Sequence, residues 1–198
     1  MGLAQSQHRF LVRQKVTPMA NRYLVHTVGP DGREGELVAF AHQKRMALKE
    51  HVTFYTDESR RQVLFTFKAR QVVDLGATYD VAGASGARLG GFRKDFGASL
   101  LRSTWHLSRE GEEGEATGQE RNRAVALLRR AWDLLPFVDL VPFVVPYHFD
   151  FADGGRPVMS VDKLLGIRDR YVLDIADPEL DRRLAIAQTV ALDALQSR

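Results

Sequence analysis

Apolar and polar residues alternate with period two in short runs along this chain, the mark of half-buried strands. Val63, Phe65 and Phe67 take one side against Leu64, Thr66 and Lys68, and Tyr171, Leu173 and Ile175 oppose Val172 and Asp174. Clusters of turn-forming residues separate the runs: "VGPDGREG" at 28–35, "TDESRR" at 56–61, "AGASGA" at 82–87, "SREGEEGE" at 108–115 and "ADGGRP" at 152–157. Gly, Asp, Ser and Pro suit these places because they tolerate positive φ or preset the φ of a tight turn. Turns at such regular spacing predict an antiparallel barrel or sandwich. No repeat of fixed period and no low-complexity linker interrupts the pattern.

Two segments have helical periodicity instead. "RNRAVALLRRAWDLL" at 121–135 puts Ala124, Leu127, Leu128, Ala131, Trp132 and Leu135 on one half of a helical wheel. Arg123, Arg129, Arg130 and Asp133 fall on the other half, and Pro136 ends the segment. This predicts an amphipathic helix, its apolar half packed against the aromatic-rich stretch that follows, where Tyr147, Phe149 and Phe151 alternate as strand core. Docking on a partner copy or a membrane surface is the alternative for that face. The second helix closes the chain, with Asp177 suited to the N-cap, Pro178 to the first helical position, and Glu179 and Asp181 to the first turn. Between Leu184 and Leu195 only Gln188, Thr189 and Asp193 are polar, and Leu184, Ile186, Val190, Leu192 and Leu195 share no single face.

A helix apolar on all sides is enclosed by protein or by lipid. Twelve residues reach only about 18 Å, against the roughly 30 Å core of a bilayer. Residues 179–196 are therefore expected to thread the barrel, as a structural core helix that leaves little room for a ligand inside.

The composition narrows the chemistry. With 198 residues, 44% of them hydrophobic, one substantial core is expected. No apolar run is long enough to span a membrane and "MGLAQSQHRF" lacks the pattern of a signal peptide, so a cytoplasmic location is expected. The absence of cysteine removes disulfides, thiolate metal sites and cysteine nucleophiles. A net charge of +3 conceals an asymmetry: residues 1–105 carry 16 Lys/Arg against 9 Asp/Glu, and residues 106–198 carry 12 against 16. The N-terminal half is thus the expected face for anions.

Residues 158–195, "VMSVDKLLGIRDRYVLDIADPELDRRLAIAQTVALDAL", run as a strand (Val158 to Lys163), a basic-Gly turn (Gly166 to Arg168) and a D-x-Y strand (Asp169 to Ile175). An acidic link, Asp174 to Asp181, then leads into the final helix. This order resembles the end of the LURP-one-related and phospholipid scramblase families, which share the tubby C-terminal fold. "TYDVAGASGARLGGFRKDF" (78–96) resembles the hairpin of those families in which a glycine turn leads into a basic strand. The likeness covers about residues 8–198, so a single barrel domain is expected there, after a flexible N-terminus over residues 1–7. The resemblance implies a mainly β fold, a closed antiparallel barrel of about twelve strands around the C-terminal helix, with the 121–135 helix as an elaboration. It also implies a link to lipids, since tubby proteins bind phosphoinositide head groups and scramblases are associated with lipid redistribution. The chain carries neither the cysteine-rich segment nor the long proline-rich arm of scramblases.

The site candidates follow from charge. Lys44, Arg45 and Lys49 in "HQKRMALKE", with Arg93 and Lys94 in "GFRKDF" and Arg102, are the candidates for binding an anionic head group. A solvated barrel rim is the plain alternative. Asp169, Asp174, Asp177, Glu179 and Asp181 occupy the region proposed to bind calcium in scramblases, but "DIADPELDRRLA" has no glycine and no Glu at position twelve of a calcium loop. An acidic helix start accounts for them, and no metal and no cofactor is assigned. No catalytic motif is present, although a triad such as Ser103, His106 and an aspartate would have to be sought in space. Basic charge without a nucleic-acid-binding motif predicts no nucleic-acid partner. The expected function is a non-enzymatic barrel module whose partners are anionic membrane lipids or an acidic protein. The alternative is a protein-interaction scaffold that binds no lipid.

Overall fold

The computed structural model describes residues 3–16, 20–44, 51–70, 78–95, 103–121, 148–166 and 169–196. Twelve strands run in chain order: β1 (Arg9–Val16), β2 (Ala20–Val28), β3 (Glu34–Lys44), β4 (His51–Tyr55), β5 (Val63–Ala69) and β6 (Thr78–Gly83), then β7 (Arg88–Asp95), β8 (Thr104–Arg109), β9 (Ala116–Glu120), β10 (His148–Asp153), β11 (Arg156–Leu164) and β12 (Arg170–Ile175). Each pairs antiparallel with its neighbours in sequence, and β1 pairs with β12 to close the barrel, with Phe10 opposite Leu173 and Arg13 opposite Arg170. A helix, α1 (Arg182–Gln196), follows β12.

Alternation decides which side chains fill the interior. Phe10 and Val12 on β1, Tyr23 and Val25 on β2, Phe65 and Phe67 on β5 and Tyr171 and Leu173 on β12 are all fully buried. Phe149 and Phe151 are buried as the pattern predicts. Val63 departs from it at 38% exposed, because a register shift between Phe54 and Tyr55 breaks the alternation where β5 begins. On one side the aromatic rings pack directly: Phe54 stacks on Phe65 at 4.1 Å and Tyr79 on Phe92 at 5.2 Å.

All five turn clusters lie at one end of the barrel, joining β2 to β3, β4 to β5, β6 to β7, β8 to β9 and β10 to β11. The chain also enters α1 at this hairpin end, and the helix runs through the lumen to the far end. Leu184, Ile186, Val190 and Leu192 are 0% exposed and Leu195 is 9% exposed, so the enclosure expected from the oily helix is present.

The helix starts later than its sequence suggests. Asp177 caps a separate turn, accepting the Glu179 amide at 2.9 Å, while its carbonyl accepts the Leu180 amide at 3.3 Å. The cap of α1 is Asp181, whose Oδ1 accepts the Arg183 amide at 2.8 Å. Fully buried Leu180 anchors the turn between the two caps, and helical geometry begins at Arg182. Burial opposes the charge of Asp181, yet the Arg183 guanidinium and the amides of Arg183 and Leu184 hold its carboxyl below the ordinary carboxylate range.

Arg182, 1% exposed, ties this entry to the N-terminal segment. Its Nε donates to Gln7 O at 2.9 Å, and its Nη1 donates to Pro178 O at 2.8 Å and Leu180 O at 2.6 Å. Its amide donates to Gln5 Oε1 at 3.0 Å. A buried guanidinium with no carboxylate ion pair among the described residues is tolerated here because backbone carbonyls replace its hydration. Burial still pushes its affinity for the proton below the ordinary value, against the pull of Asp181, Asp177 and Glu179.

The three polar residues of the helix are treated differently. Thr189 Oγ1 donates back to Ala185 O at 2.9 Å. Asp193, near the far end, accepts hydroxyls from Tyr23 at 2.8 Å and from Tyr171. Gln188 is fully buried, and neither atom of its amide has a hydrogen-bond partner among the described residues. Except for Arg121, the predicted 121–135 helix lies outside the described residues, as does Tyr147. Among the described residues no helix is long and apolar enough to cross a membrane.

Candidate functional site

Strand direction alternates round the barrel, so β3 and β7 both end at the far end, opposite the hairpin turns. Lys44 is the last residue of β3, in register with Ala20, and Arg93 and Lys94 lie in the last turn of the pleat of β7. Arg45, Lys49 and Arg102 lie outside the described residues. The two strand ends share one rim but are not adjacent. Four inter-strand steps separate β3 from β7, an arc of roughly 19 Å at about 4.8 Å per step.

The two β7 cations also point to opposite sides of the wall. Lys94 shares the inward register of Gly90 and Phe92, with its Nζ 6.0 Å from the centre of the Trp105 ring. Arg93 faces outward and donates to Glu115 at 2.8 Å. His106, directly opposite Arg93, lies 3.3 Å from Asp95 Oδ2 through Nε2. Its Nδ1 lies 3.6 Å from Glu115 Oε2 and 3.5 Å from Thr117 Oγ1. The carboxylates of Asp95 and Glu115 thus offset much of the positive charge on this part of the wall.

The acidic residues of the C-terminal link are dispersed by the fold. Asp169 pairs with Lys163 at 2.7 Å, Asp174 with Arg9 at 2.5 Å, Asp177 with Arg109, and Asp181 with Arg183 at 2.6 Å. These four carboxylates are each turned to a different cation while Glu179 is exposed, and among the described residues no group of three or more potential ligands is arranged to hold a metal ion. An open depression of about 400 Å³ lies beside this segment, lined by Phe151, Pro157, Met159, Asp174 and Ile175 among others. Its walls bear two acidic side chains and no cation, so it offers nothing to an anion.

Sequence reasoning missed a second set of cations. On β1 the outward positions are Arg9, Leu11, Arg13 and Lys15, alternating with buried Phe10 and Val12. Arg170 of β12 stands directly opposite Arg13, and Arg22 of β2 directly opposite Lys15. Arg22 is in register with His42 on β3, two residues from Lys44, so this set approaches the rim from the wall. The stripe on β1 was legible in "RFLVRQKV"; its meeting with Arg170 was not, because β1 and β12 are joined only by closure of the barrel.

A family model described as LURP-one-related matches residues 37–193, most of the barrel and nearly all of its central helix. A search of curated proteins finds no match to the chain.

Proposed function

The chain belongs to the LURP-one-related family, and from that premise we propose that it is a non-enzymatic binding module whose ligand is the anionic head group of a phospholipid, met at the basic rim of the barrel's far end. The observation that carries this reading is the filled lumen: α1 occupies the interior with fully buried side chains, so a ligand is met from outside. Lys44, Arg45, Lys49, Arg93, Lys94 and Arg102 cluster in sequence around the ends of β3 and β7. Lysine and arginine often protect the exposed edges of sheets, but a closed barrel has no edge to protect. Each cation near an anionic leaflet contributes about 1 kcal/mol, so several acting together suffice for peripheral attachment. On this reading the protein works at the cytoplasmic surface of a membrane.

The test is a titration of the full chain against phosphoinositide vesicles, phosphatidylcholine vesicles and duplex DNA, each at two salt concentrations. Binding to the phosphoinositide vesicles alone, weakened by salt, is expected. Equal binding to DNA would mean unselective attraction, and no binding to any vesicle would leave an acidic protein as the partner of the rim.

A further inference from the structure

The described barrel wall matches charge across its ladders. Arg9 stands opposite Asp174, Lys68 opposite Asp80 and Arg156 opposite Asp153. Arg70 and Arg88 converge on Asp80 at 2.7 and 3.1 Å, and Arg121 reaches Asp150. Among the described register pairs, Lys or Arg faces Lys or Arg at two positions: Arg13 opposite Arg170, and Lys15 opposite Arg22. The two are neighbours, because Arg13 and Lys15 are two residues apart on the same face of β1. Directly opposite side chains on a ladder start about 5 Å apart and diagonal ones about 7–8 Å apart, and like charges placed so repel. One carboxylate answers the four cations: Glu34 pairs with Arg13, and it also lies 3.2 Å from His26. Lys15, Arg22 and Arg170 have no carboxylate partner among the described residues. The Nε groups of Arg13 and Arg22 are buried and have no acceptor among the described residues.

We infer that this face of β12, β1 and β2 is an anion site for a ligand bearing more than one phosphate, held by Arg13, Lys15, Arg22 and Arg170. The inference rests on the head-group reading above and moves its centre from β7 to β1. Repulsion that costs stability in the free protein is relieved when an anion lies between the paired cations. A single small anion spans one pair, whereas phosphates several ångströms apart on one molecule neutralise both. Guanidinium groups favour phosphate because their planar fork engages two oxygens at once. The face is an open wall rather than a cleft, so it suits a head group presented by a membrane or a soluble polyphosphate of the same chemistry.

The test compares wild type with Lys15→Gln/Arg22→Gln by binding and by melting temperature. The probes are phosphatidylinositol bisphosphate vesicles, phosphatidylserine vesicles of matched charge and soluble inositol hexakisphosphate. The variant should bind the phosphoinositide vesicles about 30-fold more weakly, two cations being lost, and should melt no lower than wild type because a like-charge pair is gone. Arg93→Gln/Lys94→Gln at the rim, which removes the same charge, should weaken binding by less than the wall variant does. Arg170→Gln repeats the test from another strand should the double variant fold poorly. Wild-type vesicle binding that survives both wall variants overturns the site and leaves the head-group reading standing. Vesicles ignored but hexakisphosphate bound, with loss in the wall variants, keeps the site and ends the lipid reading. Equal affinity for phosphatidylserine at matched charge overturns the polyphosphate assignment, and no binding to any probe overturns both proposals.

Discussion

The side chain of Leu184 fills space that Gly90 leaves open: a Cβ at position 90 would stand 2.9 Å from Leu184 Cδ2 and closer still to the carbonyl oxygen of Ser108. Gly90 also has φ of 149°, a conformation side chains rarely adopt. The inner wall of β7 is therefore bare where the helix enters, and the helix sits against backbone. Gly90→Ala should destabilise the protein by about 1–3 kcal/mol through overpacking and backbone strain. Chemical denaturation checks this, and an unchanged midpoint would mean that the helix does not press on β7.

Leu192 lies two turns further along α1 and is 0% exposed. Leu192→Ala should cost about 2–5 kcal/mol, the usual range for a cavity of this size. Leu192→Asp should prevent folding, because an unpaired carboxylate would be desolvated in the lumen. Circular dichroism with thermal melts distinguishes these outcomes from the near-neutral effect of an exposed leucine.

Gln188 gives the opposite sign. Its amide is buried and unbonded among the described residues, so the folded state loses hydration there without recovering a hydrogen bond. Gln188→Met keeps the approximate volume and removes the orphaned groups, and it should stabilise by about 1–3 kcal/mol. A clear fall in melting temperature would show that the amide has a role beyond packing.

Asp193 makes stability depend on pH. Burial raises its carboxyl above the ordinary value of 3.8, while the hydroxyls of Tyr171 and Tyr23 and the charge of Lys163 pull it back and Asp169 adds to the rise. The native state then holds a proton that the unfolded chain has released, so stability falls as pH rises from about 4 towards the native value. Asp193→Asn should remove that component of the decline, leaving a flatter profile of melting temperature against pH. Carboxyls held low, such as Asp80 beside Arg70 and Arg88, act in the opposite sense: their contribution is lost as pH falls below the ordinary carboxylate value.

The barrel and its threaded helix were legible because both rest on local periodicity. Alternation in "VLFTFKA" and "RYVLDI", turn residues between runs, and a helix without a polar face each constrain the packing directly. The start of α1 was not, since "ADPELDRR" holds two good caps four residues apart and burial of Leu180 and Arg182 chooses between them. The charged site was legible only in part. A cluster such as Arg93–Lys94 is visible as adjacent letters, but alternation sends its members to opposite sides of the wall. Arg13 and Arg170 are 157 positions apart in sequence and become neighbours through the closing ladder. Charge counting along a strand protein therefore finds runs, while the faces are made by register.

Hydrogen exchange of the full chain, with and without phosphatidylinositol bisphosphate vesicles, tests most directly whether a ligand is met on the outer wall of a barrel whose lumen is closed. Peptides covering β1, β2 and β12 should gain protection on binding, while the amides from Leu184 to Leu195 exchange slowly with or without vesicles. Protection confined to β7 and β8 with none on β1, β2 and β12, or a change centred on Leu184 to Leu195, would contradict the account.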